Sequence, residues 1–313
     1  MIPMRRRLLA LLGPTVLVPT LAACGAVGAD DSDGPSVVAS FYPLQYVAER
    51  VAGDHADVEA LTSPGQEPHD LELTFKRTVE VAEADVVVFL SGFQPAVDDA
   101  VEQGGSEHVV DAADVADLRP AAESEEEHAS HADEEAHDHG ALDPHFWLDP
   151  TRLAKVADAV EQQLAEADPD HADDYAANLA ALQDDLTALD DDLMSGLEDC
   201  RVDTIVVSHN AFAYFAERYG LHVESINGMT PDAEPSPAHL AQLSDLIETE
   251  GITTVFSETL ATRELADTLA GELGLGTAVL DPVEGLADAG SDDDYLSLMR
   301  GNLAAIQEAN ECT

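Results

Sequence analysis

Four residues with metal-binding side chains stand where a folded chain could bring them together. His69 lies in a loop after the second predicted strand, and His145 lies just before a predicted helix. His209 and Asp281 each follow a predicted strand, and ligand sites of open α/β sheets lie beyond the carboxyl ends of strands. Three imidazoles and one carboxylate would complete the four-ligand shell that Zn²⁺ prefers. The gaps between them are long, and a histidine taken alone is more often an ordinary surface or core residue.

A second group of histidines lies in the strongly acidic segment 120–140. The stretch from Glu123 to His139 contains eight acidic residues and no apolar residue larger than alanine. Such a composition cannot bury a core and predicts a mobile loop. Its four histidines could supply secondary metal sites, or the loop could simply be solvated surface. They are His128, His131, His137 and His139.

Strands and helices alternate in both halves of the chain and must position these residues. Short, continuously apolar runs between helical segments are typical of parallel sheets covered on both faces. The predicted strands are 36–40, 58–61, 86–90, 108–110, 204–207, 222–226, 253–256 and 277–280.

One long helix is predicted at residues 169–199, where leucines recur every three or four residues. At 1.5 Å per residue it would span roughly 45 Å, enough to bridge two lobes. We therefore predict an α/β fold with a lobe at 36–168, a lobe at 200–313 and this rigid helix between them. The leucines are Leu179, Leu182, Leu186, Leu189, Leu193 and Leu197.

The charge balance excludes one class of partner. The 313 residues include 13 Lys and Arg against 64 Asp and Glu, a formal net charge of −51. Nucleic-acid binding needs a basic surface, so no nucleic-acid partner is expected. The negative field would instead favour solubility and raise the local concentration of cations.

The N-terminal segment is predicted to be a lipoprotein signal peptide, residues 1–23. Three arginines precede an apolar run that is too short for a good membrane span. The following Leu21-Ala22-Ala23-Cys24 resembles the lipobox of bacterial lipoproteins, in which the cysteine is lipidated. This predicts a protein anchored through Cys24 on the outer face of the cytoplasmic membrane, with 24–35 as a flexible tether. The alternative is an ordinary signal peptide with a chance cysteine.

Two further cysteines, Cys200 and Cys312, remain after Cys24. Outside the cytoplasm the environment is oxidising, so two remaining cysteines predict one disulfide. It would fix the C-terminal segment beside the start of the second half.

The chain resembles the zinc and manganese solute-binding proteins of ABC importers, the group called cluster A-I. The resemblance runs from about Val37 to the C-terminus. It rests on seven segments that follow in the order typical of that family. They are Phe41-Tyr42-Pro43-Leu44, Glu67-Pro68-His69, Asp143-Pro144-His145-Phe146-Trp147-Leu148-Asp149-Pro150, Ser208-His209-Asn210-Ala211-Phe212, Glu234-Pro235-Ser236-Pro237, Phe256-Ser257-Glu258-Thr259 and Leu280-Asp281-Pro282.

This resemblance implies two lobes, a rigid linking helix and a metal buried between the lobes. It implies that His69, His145 and His209 are ligands and that Asp281 is the last one, although water or a nearby glutamate can take that fourth position. Glu258 is a candidate ligand or a support behind the ligands. Manganese members commonly carry glutamate where His209 stands, and imidazole suits zinc better than manganese.

The predicted function is capture of Zn²⁺ and its delivery to an ABC permease with its ATPase, by a monomer without catalytic activity. One alternative is a manganese- or iron-binding member of the same family. Alternatives from other classes are a zinc hydrolase, in which Glu258 would be the base, and a metal-storing adhesin.

Overall fold

Two four-stranded parallel sheets, each flanked by helices, form the framework of the molecule. The computed structural model describes residues 34–121 and 142–313. The first sheet has the order β2-β1-β3-β4, and all of its neighbouring strands run parallel. Its strands are β1 Ser36–Ala39, β2 Asp57–Ala60, β3 Val86–Phe89 and β4 His108–Asp111.

The second sheet repeats this arrangement with the order β6-β5-β7-β8. Its strands are again parallel, and the central strand β5 is buried along its whole length. The fold class predicted from the alternation of strands and helices is thereby confirmed. The strands are β5 Thr204–Val207, β6 His222–Ser225, β7 Thr254–Ser257 and β8 Gly276–Val279.

Ten α-helices connect and cover these strands in the described residues. Several begin at a side chain that satisfies a free backbone N–H of the first turn. Thr74, Asp149 and Ser236 do so for α2, α5 and α8, and Asp294 forms a capping box at α10. The helices are α1 Tyr42–Ala52, α2 Phe75–Glu83, α3 Pro95–Gln103, α4 Ala112–Val115, α5 Pro150–Ala167, α6 Ala172–Gly196, α7 Ala213–Tyr219, α8 Pro237–Glu250, α9 Glu264–Leu273 and α10 Tyr295–Asn310.

The helix between the two halves, α6, has 25 residues and buries a leucine stripe. It packs against α1 and α5 of the first half and against α10 of the second. It is shorter than the predicted 169–199, because Pro169–His171 forms a separate 3₁₀ turn before it and the helix ends at Gly196.

One hydrophobic core runs through both halves. It includes Val47 on α1, Leu186 on α6 and Ile306 on α10, all at most 2% exposed. Two smaller clusters cover the other faces of the sheets. The halves are therefore joined by shared packing as well as by α6.

The predicted disulfide is confirmed. Cys200 and Cys312 are joined with an S–S distance of 2.02 Å and lie 112 residues apart in the sequence. Beside it, the side chain of Asn310 donates to the carbonyls of Val202 and Thr204, so α10 is also fixed to the start of β5.

No helix among the described residues is both long and apolar enough to cross a membrane. The predicted signal peptide 1–23, the anchor Cys24, nearly all of the tether and the four histidines of the acidic segment lie outside the described residues.

Candidate metal centre

Three histidines and one glutamate converge on a single point. Atoms able to bind a metal in His69, His145, His209 and Glu284 all lie within 4.8 Å of one another. Glu284 Oε1 is 3.3 Å from His69 Nε2, 3.4 Å from His145 Nε2 and 3.3 Å from His209 Nε2. The group offers three imidazole nitrogens and one carboxylate, a donor set suited to a four-coordinate transition metal.

The four donors come from both halves of the chain. His69 lies in the long loop between β2 and α2, and His145 immediately precedes the 3₁₀ turn Phe146–Leu148 that leads into α5. His209 follows β5, and Glu284 lies in the loop after β8. The parallel sheets place the last two donors at strand carboxyl ends, as expected for ligand sites of open α/β sheets.

Carboxylates behind two of the histidines fix their tautomers. Asp143 Oδ1 lies 2.8 Å from His145 Nδ1, and Glu258 Oε1 lies 2.7 Å from His209 Nδ1. Each carboxylate also accepts the backbone N–H of the same histidine, at 3.0 Å in both cases. Because the carboxylate accepts a hydrogen bond from Nδ1, the Nε2 atom is left to bind a metal. Glu258 thus lies behind a candidate donor, His209.

The site is almost closed to solvent. His145 and His209 have side chains that are 0% exposed, Glu284 is 1% exposed, and His69 is the most accessible donor at 8%. The ring of Phe93 packs 4.7 Å from His69, and Trp147 packs 5.2 Å from His145. Apolar walls of this kind strengthen the electrostatic interactions inside the site.

The buried charges perturb the acid–base properties of the donors. Burial alone would raise the pKa of Glu284, but hydrogen bonds with the three histidines hold that pKa well below its usual value. Burial alone would lower the pKa of His209, but Glu258 and Glu284 raise it to about 10. The pKa of His145 is raised in the same way by Asp143 and Glu284, against the effect of burial. Without metal, protons therefore occupy the positions that a cation would take.

The structure does not bring Asp281 into the group, contrary to the sequence-based expectation. Its Oδ2 accepts a hydrogen bond from Thr259 Oγ1 at 2.6 Å, and its Oδ1 accepts one from the backbone N–H of Val283 at 2.7 Å. Strand β8 ends at Val279, and the chain then turns so that Glu284 points at the histidines. The sequence does contain a signal for Glu284: a second acidic residue follows Asp281 after three positions, in the same loop.

Comparison with known proteins assigns the chain to a family. The family model described as "Zinc-uptake complex component A periplasmic", ZnuA, matches residues 37–309. With two parallel-sheet halves and a buried three-histidine, one-carboxylate group, the molecule has the architecture of a two-lobed binding protein. The chain belongs to the ZnuA family, as the resemblance predicted.

Curated relatives support the same assignment. The chain is 34% identical over 310 residues to "Zinc-binding lipoprotein AdcA" of Streptococcus pneumoniae, covering 97% of this chain and 61% of AdcA. The chain thus spans less than two thirds of that relative. It is also 34% identical to "High-affinity zinc uptake system protein ZnuA" of Bacillus subtilis, covering 92% of this chain and 93% of the relative.

A solved structure shows the same fold. The structure described as the Zn(II)-bound ZnuA-like domain of Streptococcus pneumoniae AdcA matches with a TM-score of 0.72 and 31% identity. The match covers 89% of this chain and 99% of that one. The shared fold is thus one that holds zinc in that relative.

Proposed function

We propose that this protein captures Zn²⁺ between its two halves and delivers it to the permease of an ABC importer. The zinc ligands are His69, His145, His209 and Glu284. The relatives from Streptococcus pneumoniae and Bacillus subtilis are named for zinc binding and zinc uptake. Zinc is the transported substrate: it exchanges water for the protein donors on capture, and no covalent bond is made or broken.

The convergence of three Nε2 atoms on one carboxylate oxygen is the observation that carries this proposal. Three nitrogens and one oxygen match the ligand preference of zinc, whereas manganese favours oxygen-rich sites. Glu284 supplies one negative charge to offset the cation in a nearly dry site. Manganese or iron is therefore the less suitable substrate.

A hydrolytic role has less support than transport. A catalytic zinc needs an open coordination position and a positioned base. The group offers four protein donors, and the one glutamate considered as a base, Glu258, instead accepts two hydrogen bonds from His209. We therefore assign binding and transfer, without catalysis.

The protein is further proposed to act as a monomer on the outer face of the cytoplasmic membrane. The lipobox-like segment ending at Cys24 supports a lipid anchor, and one relative is itself named a lipoprotein. Membership of the ZnuA family supports a permease and its ATPase as partners.

Titration calorimetry and native mass spectrometry with zinc and manganese in competition would test the proposal. We expect one tightly bound zinc ion that manganese does not displace. His209→Ala should abolish this tight site, and His222→Ala, on the exposed face of β6, provides a matched control. Tight binding of zinc by the His209 variant, or a preference for manganese, would contradict the proposal.

A further inference from the structure

The loop that carries Glu284 contains an unusual backbone conformation. Val283 has φ of +57°, in the left-handed region. Branching at Cβ makes this region especially unfavourable for valine. The other two non-glycine residues with positive φ in the described part of the chain, Asp117 and Glu311, are neither β-branched nor buried. Val283 is fully buried, so the surrounding side chains restrict any change of its backbone conformation.

Hydrogen bonds hold the residues on the N-terminal side of Glu284. The side chain of Asn302 accepts from Asp281 N at 2.8 Å and donates to Asp281 O at 2.7 Å. The indole of Trp147 donates to Pro282 O at 2.8 Å. The N–H of Val283 donates to Asp281 Oδ1 at 2.7 Å. This last bond holds the backbone N–H of the left-handed residue itself, in the manner of an Asx turn.

The same aspartate also connects two loops of the second half. Its other oxygen, Oδ2, accepts from Thr259 in the loop after β7. The neighbouring Glu258 holds His209 through Oε1. Adjacent residues of one loop therefore support both donors of the second half, His209 directly and Glu284 through Asp281.

We propose that Asp281 is a positioning residue for Glu284: it holds Val283 in its left-handed conformation so that Glu284 reaches the three histidines. This inference rests on the proposed function, because its first test measures zinc affinity. It gives Asp281 a different role from the ligand role expected from the sequence. Its carboxylate contributes through two hydrogen bonds and does not bind the metal.

Asp281→Asn and Asp281→Ala separate the two roles. Asparagine keeps the Oδ1 acceptor for Val283 but loses the negative charge and has an amide nitrogen in place of Oδ2. Because an amide nitrogen cannot bind a metal and the proposed role needs only Oδ1, zinc affinity should stay close to that of the wild type. Alanine removes the acceptor, and affinity should fall about 10- to 100-fold, the usual effect of losing a residue that supports a metal ligand. Equal losses in both variants would show that Asp281 is a ligand and would overturn the proposal.

Rescue by glycine tests the backbone argument. Glycine adopts positive φ without penalty, so Asp281→Ala combined with Val283→Gly should recover on the order of tenfold in affinity. The matched control combines Asp281→Ala with Val283→Ala, which loses the same buried methyl groups but keeps the left-handed penalty. It should not recover. Equal behaviour of the two double variants would contradict the proposal, and thermal unfolding of each variant checks that it is folded.

Crystal structures of the metal-free variants give a readout that does not depend on zinc. The distances of 3.3 to 3.4 Å from Glu284 Oε1 to the histidines should be retained in Asp281→Asn and lost in Asp281→Ala. An unmoved Glu284 in the alanine variant would overturn the positioning role. Failure of the wild type to bind zinc would instead overturn the proposed function, so the two failures are distinguishable.

Discussion

At the scale of single residues, the metal centre is a buried charge arrangement that a proton or a metal ion can complete. Glu284 is 1% exposed and is surrounded by three imidazoles. A buried carboxylate without a cationic or proton-donating partner is costly. His145 and His209, whose pKa values are raised, therefore hold protons beside this carboxylate, and under the proposed function zinc takes their place.

Removing the charge of Glu284 should weaken zinc binding more than removing any supporting residue. Glu284→Gln keeps the shape of the side chain but replaces its anionic ligand oxygen. We expect a loss larger than about 100-fold, the upper range for residues behind the ligands. Calorimetric titration measures this, with Glu248→Gln on the exposed side of α8 as the control. Similar affinities in both variants would remove Glu284 from the site.

Zinc binding should release protons and strengthen as pH rises. Since the pKa of His209 is about 10 in the metal-free protein, zinc must displace its proton even at pH values near neutrality. Calorimetry in buffers of different ionisation enthalpy should show at least about one proton released per zinc. Binding without proton release would indicate that His209 is not a ligand.

The same shift fixes the sign of the stability change. The folded pKa of His209 is raised above its unfolded value of about 6.5, so its protonation stabilises the metal-free fold fully below that value. This stabilisation is lost as pH rises towards 10. The zinc-induced increase in melting temperature should therefore grow as pH rises above about 6.5. Differential scanning calorimetry with and without zinc measures it, and a constant increment across this range would contradict the assignment.

At the scale of elements, two loops meet over the metal centre. Gly65, in the loop that carries His69, donates its backbone N–H to Leu286 O at 2.7 Å. Leu286 lies two residues after Glu284, so this bond joins the first half to the loop that supplies the carboxylate. Gly65 has φ of +80°, and a Cβ there would lie 3.1 Å from Ala287 O.

Gly65→Ala should accelerate zinc release. The added methyl group would push the two loops apart, and it would also strain a left-handed backbone. Gly92→Ala is a matched control, because Gly92 has the same φ of +80° but a Cβ added there would meet no atom within 4 Å. Stopped-flow mixing with a chelator measures the release rate. Equal rates for the two variants would show that this contact does not limit release.

The disulfide should stabilise the fold without affecting the site. Replacing Cys200 and Cys312 by serine opens a loop with a sequence separation of 112 residues. In the chain-entropy treatment this costs about 3 to 5 kcal/mol. Denaturant unfolding measures the loss, and the zinc affinity of the folded variant should be unchanged. A variant as stable as the wild type would contradict the prediction.

Local patterns predicted the strands well but did not single out Glu284 as a candidate donor. The buried central strands β1, β3, β5 and β7 have the clear apolar signature of parallel strands. The edge strands were placed by their alternation with helices. Glu284 could not be found in this way, because the direction of its side chain depends on the left-handed Val283 and on contacts with Asn302 and Trp147. Those contacts join segments far apart in the chain, and no local pattern contains them.

At the scale of the whole molecule, the net negative charge and the acidic segment 120–140 would raise the local concentration of zinc near the metal centre. Pro120 and Leu142, which flank that segment, form an isolated antiparallel bridge, and Asp143 N donates to Arg119 O at 2.9 Å. A short linker can therefore replace residues 122–141 without disturbing His145.

Deleting this segment should remove weak zinc equivalents and leave the tight one. The tight donors of the proposed site all lie in the described residues, whereas His128, His131, His137 and His139 would be lost. Binding stoichiometry with and without the segment measures the difference. Loss of the tight site would mean that the segment provides a primary ligand, and unchanged stoichiometry would mean that it binds no zinc.

The core that Val47, Leu186 and Ile306 share has a consequence for recognition. Halves packed into one core cannot swing widely apart, so an empty and a loaded molecule must have nearly the same outline. A permease that receives zinc from this protein would have to distinguish the two states at the surface where the loops of Gly65 and Leu286 touch. Recognition of the loaded state would then depend on displacements of a few atoms in these two loops. The docking surface of the permease would have to be complementary to the loaded arrangement.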